Sequence, residues 1–497
     1  MLEYMIPAIK MLFTVENFIW INLGVFIGSI FAAIPGLTVI LCIILFLPFT
    51  YKMTAVPGMM FLLGIYCAGG YGGSVSAILI NTPGTPHAAA TMLDGHPLSK
   101  KGRTQAALKI ALYASTFGGI FSALMLLFLA PQVARVSAKL GTAEYFLVCL
   151  FGLTIIAGIS GKSMIKGIIS ACFGLLVSCI GADPLTSYDR FTFGIPRLYM
   201  GLDLAICLIG LFALVEILKK AERKEGRLIL DTEKIKDDGA ISKDEYKRMF
   251  RPVLLSSIIG TIIGIIPGTG ASMASWFSYD RAKSMSKHKE EFGHGSVEGI
   301  AAAESANNAV TGATLIPLLT LGIPGDGVTA MMLGGFLIHG LSAGPLLFVK
   351  NADVVYGIFA ACMICTLIML VVEWTCIKGF VQVLKVPKHI LLPLILVLCC
   401  VGAYATNNRI FDVQSILIFG VVGYIYHKFS LPTTPFVLCF LIGEMLETYL
   451  RRGIMQYKSF GAFFKRPIFD VFFFVAIGVL VWSVYKEVKA HRAKKAA

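Results

Sequence analysis

The chain has 497 residues, of which 57% are hydrophobic and 14% charged, and it carries a formal net charge of +14. Soluble globular proteins are about 45–50% apolar and about one quarter charged. The mean hydropathy of +0.79, carried by long continuous apolar runs, therefore excludes a soluble enzyme, a coiled coil, a disordered chain, a secreted disulfide scaffold and an outer-membrane barrel, and predicts an all-α polytopic membrane protein.

The opening, MLEYMIPAIKML, contains Glu3 and lacks a basic n-region. It does not have the layout of a cleaved secretory signal, so the first apolar run is expected to stay and to act as its own insertion signal. Apolar segments fall at 17–48, 55–80, 106–130, 144–160, 164–182 and 199–218. They resume at 253–278, 310–338, 354–377, 390–404, 414–427, 431–447 and 467–485, giving about 10–13 hydrophobic elements, several of them interrupted by Pro and Gly. Between them lies one long polar insertion, 219–251, with eleven basic and eight acidic residues. It divides the chain into an N-terminal membrane repeat (1–218), a polar connector expected in the cytoplasm, and a C-terminal membrane repeat with a basic tail (252–497).

The basic residues sit in short stretches beside apolar runs, such as Lys100, Lys101, Arg103 and Lys109. The tail carries Lys486, Lys489, Arg492, Lys494 and Lys495 against Glu487. Short basic connections mark the cytoplasmic side. The C-terminus is accordingly expected in the cytoplasm, and the excess charge reports topology and anionic lipid, with no nucleic-acid partner. The twelve cysteines lie within apolar stretches and read as small hydrophobes. Cys362 and Cys365 have CxxC spacing but no second pair or histidines nearby to complete a zinc site.

The two halves repeat each other. IGSIFAAIPGLTV (27–39) aligns without gaps to IGTIIGIIPGTGA (259–271), matching Pro35-Gly36 to Pro267-Gly268. In the same order, AILINTPGTPHAAATMLDG (77–95) aligns to PLLTLGIPGDGVTAMMLGG (317–335), matching Pro83-Gly84 to Pro324-Gly325. Proline removes a backbone donor and glycine opens positive φ. A broken helix is tolerated in lipid only where it is buried in protein or lines a wet cavity. Duplicated halves with interrupted spans point to a secondary transporter built from discontinuous helices or re-entrant hairpins.

The polar residues around the breaks supply the chemistry. NTPGTPH brings Asn81, Thr82 and Thr85 beside Pro83 and Gly84; PGTGAS brings Thr269 and Ser272; GIPGDG brings Asp326 beside Gly325. Free N–H groups at a helix N-terminus favour an anion, and exposed carbonyls and carboxylates favour a cation such as Na⁺, here expected near Asn308 and Asp326. In EGIAAAESANNAVTGATLIP (298–317), Glu304, Asn307 and Asn308 share one helix face. Asn307 and Asn308 are expected to touch substrate or ion, whereas Glu304 has the alternative of capping a helix at the interface. Asp94 and His96 are expected at the membrane interface. His87, His339, His389 and His427 have no metal spacing, and no Walker, Rossmann, HExxH or GxSxG motif is present.

The strings IPGLT, GGYGGSVSAILINTPGTP and ESANNAVTGATLIPLLTLGIPGD, with the duplicated Pro-Gly motif, resemble the large membrane subunit of the tripartite tricarboxylate transporters, the TctA family, from about Ile27 to Glu444. The resemblance implies a bacterial inner-membrane permease that imports carboxylates, citrate being the name-giving case, driven by a Na⁺ or H⁺ gradient and with no other cofactor. It also implies a small membrane subunit of about four spans and a periplasmic solute-binding protein as partners. The family's motifs fall on Gly72, Gly73, Asn81, Thr82, Pro83 and Gly84, and on Pro267, Gly268, Asn307, Asn308, Gly322, Pro324 and Gly325. No Arg accompanies them, which favours recognition by helix ends or a substrate of few charges. An anion channel is the alternative, but no repeated charged ring is present; an intramembrane enzyme would need a catalytic dyad, and the apolar stretches offer only isolated groups.

Overall fold

Runs that are apolar all round, as at 55–80, can form a stable helix only when other protein or lipid surrounds them. The computed structural model describes residues 2–159, 163–222, 239–383, 388–474, 476–478 and 481, and these residues are predominantly helical. The helices are, in order, α1 (Leu2–Leu12), α2 (Val15–Ala33), α3 (Val39–Thr50), α4 (Ala55–Ile80), α5 (Ala89–Lys100), α6 (Thr104–Ser137), α7 (Thr142–Ile159), α8 (Met164–Ser178), α9 (Leu204–Leu208) and α10 (Val215–Glu222). They continue as α11 (Lys243–Ile265), α12 (Gly270–Met285), α13 (Val297–Leu321), α14 (Gly327–Ile338), α15 (Leu347–Lys350), α16 (Ala352–Val383), α17 (Lys388–Asn407), α18 (Ile410–Lys428) and α19 (Thr433–Tyr457). The strands among the described residues are one antiparallel two-residue pair, Gly181–Ala182 with Asp189–Arg190. Seven of the described helices, α2, α4, α6, α11, α16, α17 and α18, have stretches long and apolar enough to cross a membrane. The chain is an all-α multi-pass membrane protein. Much of the connector (223–238) and the basic tail lie outside the described residues.

Two compact units emerge, each drawing on segments from both sides of the connector. The first comprises 1–134 and 220–402. Its interior is built on α4 and α13, buried along nearly their whole lengths. Helix α2 packs along α4, and α11 along α13. Small residues permit the close approach: a Cβ on Gly28 would stand 2.5 Å from Ile65 O, and one on Gly260 would stand 2.4 Å from Ala306 O. Ion pairs hold the polar start of α11, with Arg103 on Glu245 at 2.6 Å and Arg248 between Glu291 (2.5 Å) and Glu298 (3.2 Å).

The second unit comprises 135–219 and 403–497. Helix α19 packs on α7 and α8, and α18 packs on a π-helical stretch at Ile209–Leu214 that joins α9 to α10. Its short hairpin is held by Asp183, Arg190, Glu447 and Arg451. Burial opposes ionisation of Asp183, but N–H groups of Thr186 and Leu185 and the Arg451 guanidinium outweigh it and hold the carboxyl well below its usual range.

All four Pro-Gly pairs lie between helices of the first unit. Pro35-Gly36 separates α2 from α3, Pro83-Gly84 separates α4 from α5, Pro267-Gly268 separates α11 from α12, and Pro324-Gly325 separates α13 from α14. The apolar runs 17–48, 253–278 and 310–338, each continuous in hydropathy, are therefore pairs of helices. Gly36 and Gly268 both take φ of +83°, a conformation that a side chain would strain.

Candidate functional site

The breaks end in fresh helix starts, and these starts share one cavity of about 180 Å³, well above the space one water needs. Thr38, Val39 and Ile40 line it from the start of α3. Thr85, Pro86 and His87 line it from the 3₁₀ turn (Pro86–Ala88) that leads directly into α5. Thr269, Gly270, Ala271 and Ser272 line it from α12, and Asp326, Gly327 and Val328 from α14. Tyr66 and Gly70 of α4, with Asn307 and Thr311 of α13, form the walls.

Side chains of the protein itself cap two of these starts. Thr38 Oγ accepts the Leu41 N–H at 3.2 Å. Asp326 Oδ1 accepts the Thr329 N–H at 2.8 Å, and the Thr329 hydroxyl takes the Asp326 N–H at 2.9 Å. The other two starts have no side-chain cap. Thr269 turns its hydroxyl back onto Ile263 O (2.6 Å) and Ile266 O (2.8 Å), leaving the first turn of α12 uncapped. Thr85 makes no cap bond either, and its Oγ1 has no hydrogen-bond partner among the described residues. His87 Nε2, also buried, is likewise without a partner there. The uncapped start of α12, the His87 N–H, the Thr85 hydroxyl and the His87 imidazole nitrogen thus meet one cavity, a donor set suited to an anion.

One acidic group shares this space. Asp326 accepts the Tyr66 hydroxyl at 3.0 Å, and Tyr66 also contacts Thr314 Oγ1 at 2.8 Å. The breaks are tied to each other: the Gly268 N–H donates to Gly325 O at 2.7 Å. The Gly84 N–H donates to Gly73 O at 3.0 Å, and a Cβ on Gly84 would stand 2.0 Å from Ala32 O.

The structure brings five of the expected residues, Thr85, Thr269, Ser272, Asn307 and Asp326, to this cavity. Pro83, Gly84 and Gly325 are not among its lining residues. Asn81 ends α4 in the left-handed conformation, and it and Thr82 are exposed and not among the lining residues. Asn308 lies against a separate small pocket with Cys67, Ser122 and Thr366, and its Nδ2 donates to Glu304 O at 3.2 Å. Asn308 and Asp326 therefore do not line one cavity. Among the described residues, no cluster of three or more His, Cys, Asp or Glu side chains forms a metal site.

Sequence reasoning did not single out Thr38, Tyr66, His87 or Thr311. His87 stands inside the NTPGTPH motif, so proximity to Pro83-Gly84 was the available signal. Asp94 is fully buried within the protein. It accepts the N–H groups of Gly293, Gly295 and Ser296 and the Tyr279 hydroxyl at 2.8–2.9 Å.

The family model described as the tripartite tricarboxylate transporter TctA family matches residues 18–438. The chain belongs to the TctA family. An uncharacterized 52.8 kDa protein in the TAR-I ttuC′ 3′ region of Agrobacterium vitis is 34% identical over 482 residues, covering 97% of this chain and 96% of the relative. An uncharacterized protein in the TAR-II ttuC′ 3′ region of the same organism is 38% identical over 196 residues, covering 39% of this chain and 81% of the relative. No solved structure matches. As a TctA-family member, this protein is a subunit of a tripartite transporter and works with other subunits.

Proposed function

We propose that this TctA-family protein is the permease of an ion-gradient-driven importer and that its cavity binds a small organic carboxylate, a tricarboxylate such as citrate or a related acid. The observation that carries the reading is the meeting of the uncapped start of α12 with the unpartnered Thr85 and His87 atoms in one cavity. In the bilayer, carboxylate oxygens would accept N–H bonds from His87 and from the first turn of α12 at 270–272, with hydroxyls of Thr85 and Ser272 alongside. Asp326 brings a carboxylate of its own, which suits a cation travelling with the anion. The protein would sit in a bacterial inner membrane with its tail in the cytoplasm. A periplasmic solute-binding protein would deliver the acid, and a small membrane subunit would complete the complex. The halves act as repeats, each giving one capped and one uncapped helix start.

The test uses the purified full chain in lipid nanodiscs, heated with citrate, succinate or acetate. A ligand at a hundred times its Kd stabilises the native state by about 2.7 kcal/mol. At least one acid is expected to raise the unfolding temperature, and Thr85→Val combined with Ser272→Ala is expected to shrink that rise. No rise with any acid, or a rise untouched by the double variant, contradicts the reading. Uptake of the stabilising acid by cells that also express the other two subunits, abolished when the ion gradient collapses, separates transport from binding alone.

A further inference from the structure

Glu304 lies on α13 with 0% of its surface exposed. Hydroxyls from three other helices close on its carboxyl. Ser74 of α4 donates to Oε1 at 2.5 Å, Thr91 of α5 donates to the same oxygen, and Ser115 of α6 donates to Oε2 at 2.8 Å. Among the described residues no Lys, Arg or His makes an ion pair with it. An uncompensated buried charge costs several kcal/mol even after relaxation, and three neutral hydroxyls do not cancel it. A carboxyl so placed holds a proton or a metal cation. Among the described residues no group of three or more His, Cys, Asp or Glu side chains stands here to hold a metal ion, whereas a hydroxyl that donates to a carboxylate can turn to accept from the protonated acid. The chemistry that remains is proton exchange.

The same helices form the cavity. Asn307, one turn along α13, lines it, and its Nδ2 donates to Gly70 O at 2.9 Å. Gly70 also lines it and stands one turn before Ser74 on α4. Thr91 follows the Thr85–His87 rim by one turn. The other titratable and charged groups on the packed elements leave Glu304 without a counter-charge. Tyr71 of α4 donates to Leu108 O, Asp94 of α5 is satisfied as described, and Glu373 of α16 is another buried acid. Lys109 of α6 reaches Gly239 O and the Trp374 ring, Arg248 of α11 pairs with Glu291 and Glu298, and Asp280 and Arg281 of α12 are exposed.

We infer that Glu304 carries the proton that couples carboxylate movement to a proton gradient: its carboxyl releases H⁺ to water in the cavity and takes one back during the transport cycle. This rests on the transport reading of the cavity and supplies its coupling ion.

The test is infrared difference spectroscopy of the full chain in nanodiscs between acid and alkaline pH. The wild type is expected to show the carbonyl stretch of a protonated carboxylic acid that is lost as pH rises, and Glu304→Gln is expected to lack that component. Ser115→Ala, which removes the donor to Oε2, should shift the component and keep it, so the assignment stands or falls even where Glu304→Gln does not fold. The same spectrum in wild type and Glu304→Gln, or a component unmoved by Ser115→Ala, overturns the inference. These spectra need no ligand, so they stand whether or not the cavity binds an acid. Adding whichever of citrate, succinate or acetate stabilises the protein should change the component at fixed pH. Verified binding without such a change overturns the coupling and leaves the cavity reading intact.

Discussion

His87 Nε2 and Thr85 Oγ1 are buried polar atoms without a hydrogen-bond partner among the described residues. Each such atom costs about 1–3 kcal/mol if left unpaired, so their place in a cavity wall fits a ligand that completes them. His87→Leu is therefore expected to leave thermal stability unchanged or slightly raised. It should weaken carboxylate binding by about 1.5–3 kcal/mol, the worth of a hydrogen bond to a charged group, measured by calorimetric titration. Unchanged affinity with lowered stability would make His87 a packing residue. At this scale the sequence was only partly legible. The residue types beside each Pro-Gly pair pointed to a polar site, and Thr85, Thr269, Ser272, Asn307 and Asp326 do gather there. The burial of Asp94 and Glu304 was not legible because their partners come from far along the chain: Asp94 is held by the 293–296 turn, and Glu304 by Ser74, Thr91 and Ser115. Such long-range donors leave no local pattern.

Among the elements, the interruptions were the most legible feature, because proline and glycine act locally on the helix that contains them. Less legible was the start of α13. Its first turns, with Glu298, Glu304, Asn307 and Asn308, look too polar to be buried, yet α13 is an interior helix whose polar groups meet partners on α4, α5 and α6. Capping was also hidden, since Thr38 and Thr269 are both threonines at helix starts and only one turns its hydroxyl forward. The break at Pro83-Gly84 depends on contact between two backbones. Gly84→Ala places a Cβ 2.0 Å from Ala32 O, and a backbone atom cannot swing aside as a flexible side chain can. Overpacking of this kind costs typically about 1–3 kcal/mol, so Gly84→Ala should lower the unfolding temperature and the ligand-dependent rise together, whereas a wild-type melting curve would show the break to be pliant. In the second unit, the 181–190 hairpin should depend on pH through Asp183. A carboxyl held below its usual range contributes stability that is complete above about pH 4 and is lost as pH falls through the lower native value. Amide hydrogen exchange at 181–190 should thus be slower in the wild type than in Asp183→Asn above about pH 4, with the gap closing below it. A gap that widens toward acid would reverse the sign.

For the whole molecule, composition settled the class: a chain this apolar and this sparsely charged is a multi-pass membrane protein, and its long motifs resembled the family to which it belongs. The two compact units were not legible, because each is assembled from segments on both sides of the connector, and hydropathy carries no record of which helices pack together. The segments that follow both members of each matched pair, Pro35-Gly36 with Pro267-Gly268 and Pro83-Gly84 with Pro324-Gly325, reach one cavity. The most direct measurement is solid-state NMR on the full chain in lipid, with the stabilising acid ¹³C-labelled at its carboxyl groups and the protein ¹⁵N-labelled. The account predicts dipolar contacts from the acid's carboxyl carbons to the amides of Gly270, Ala271 and Ser272 and of His87. A bound acid whose contacts all lie elsewhere in the chain would contradict it.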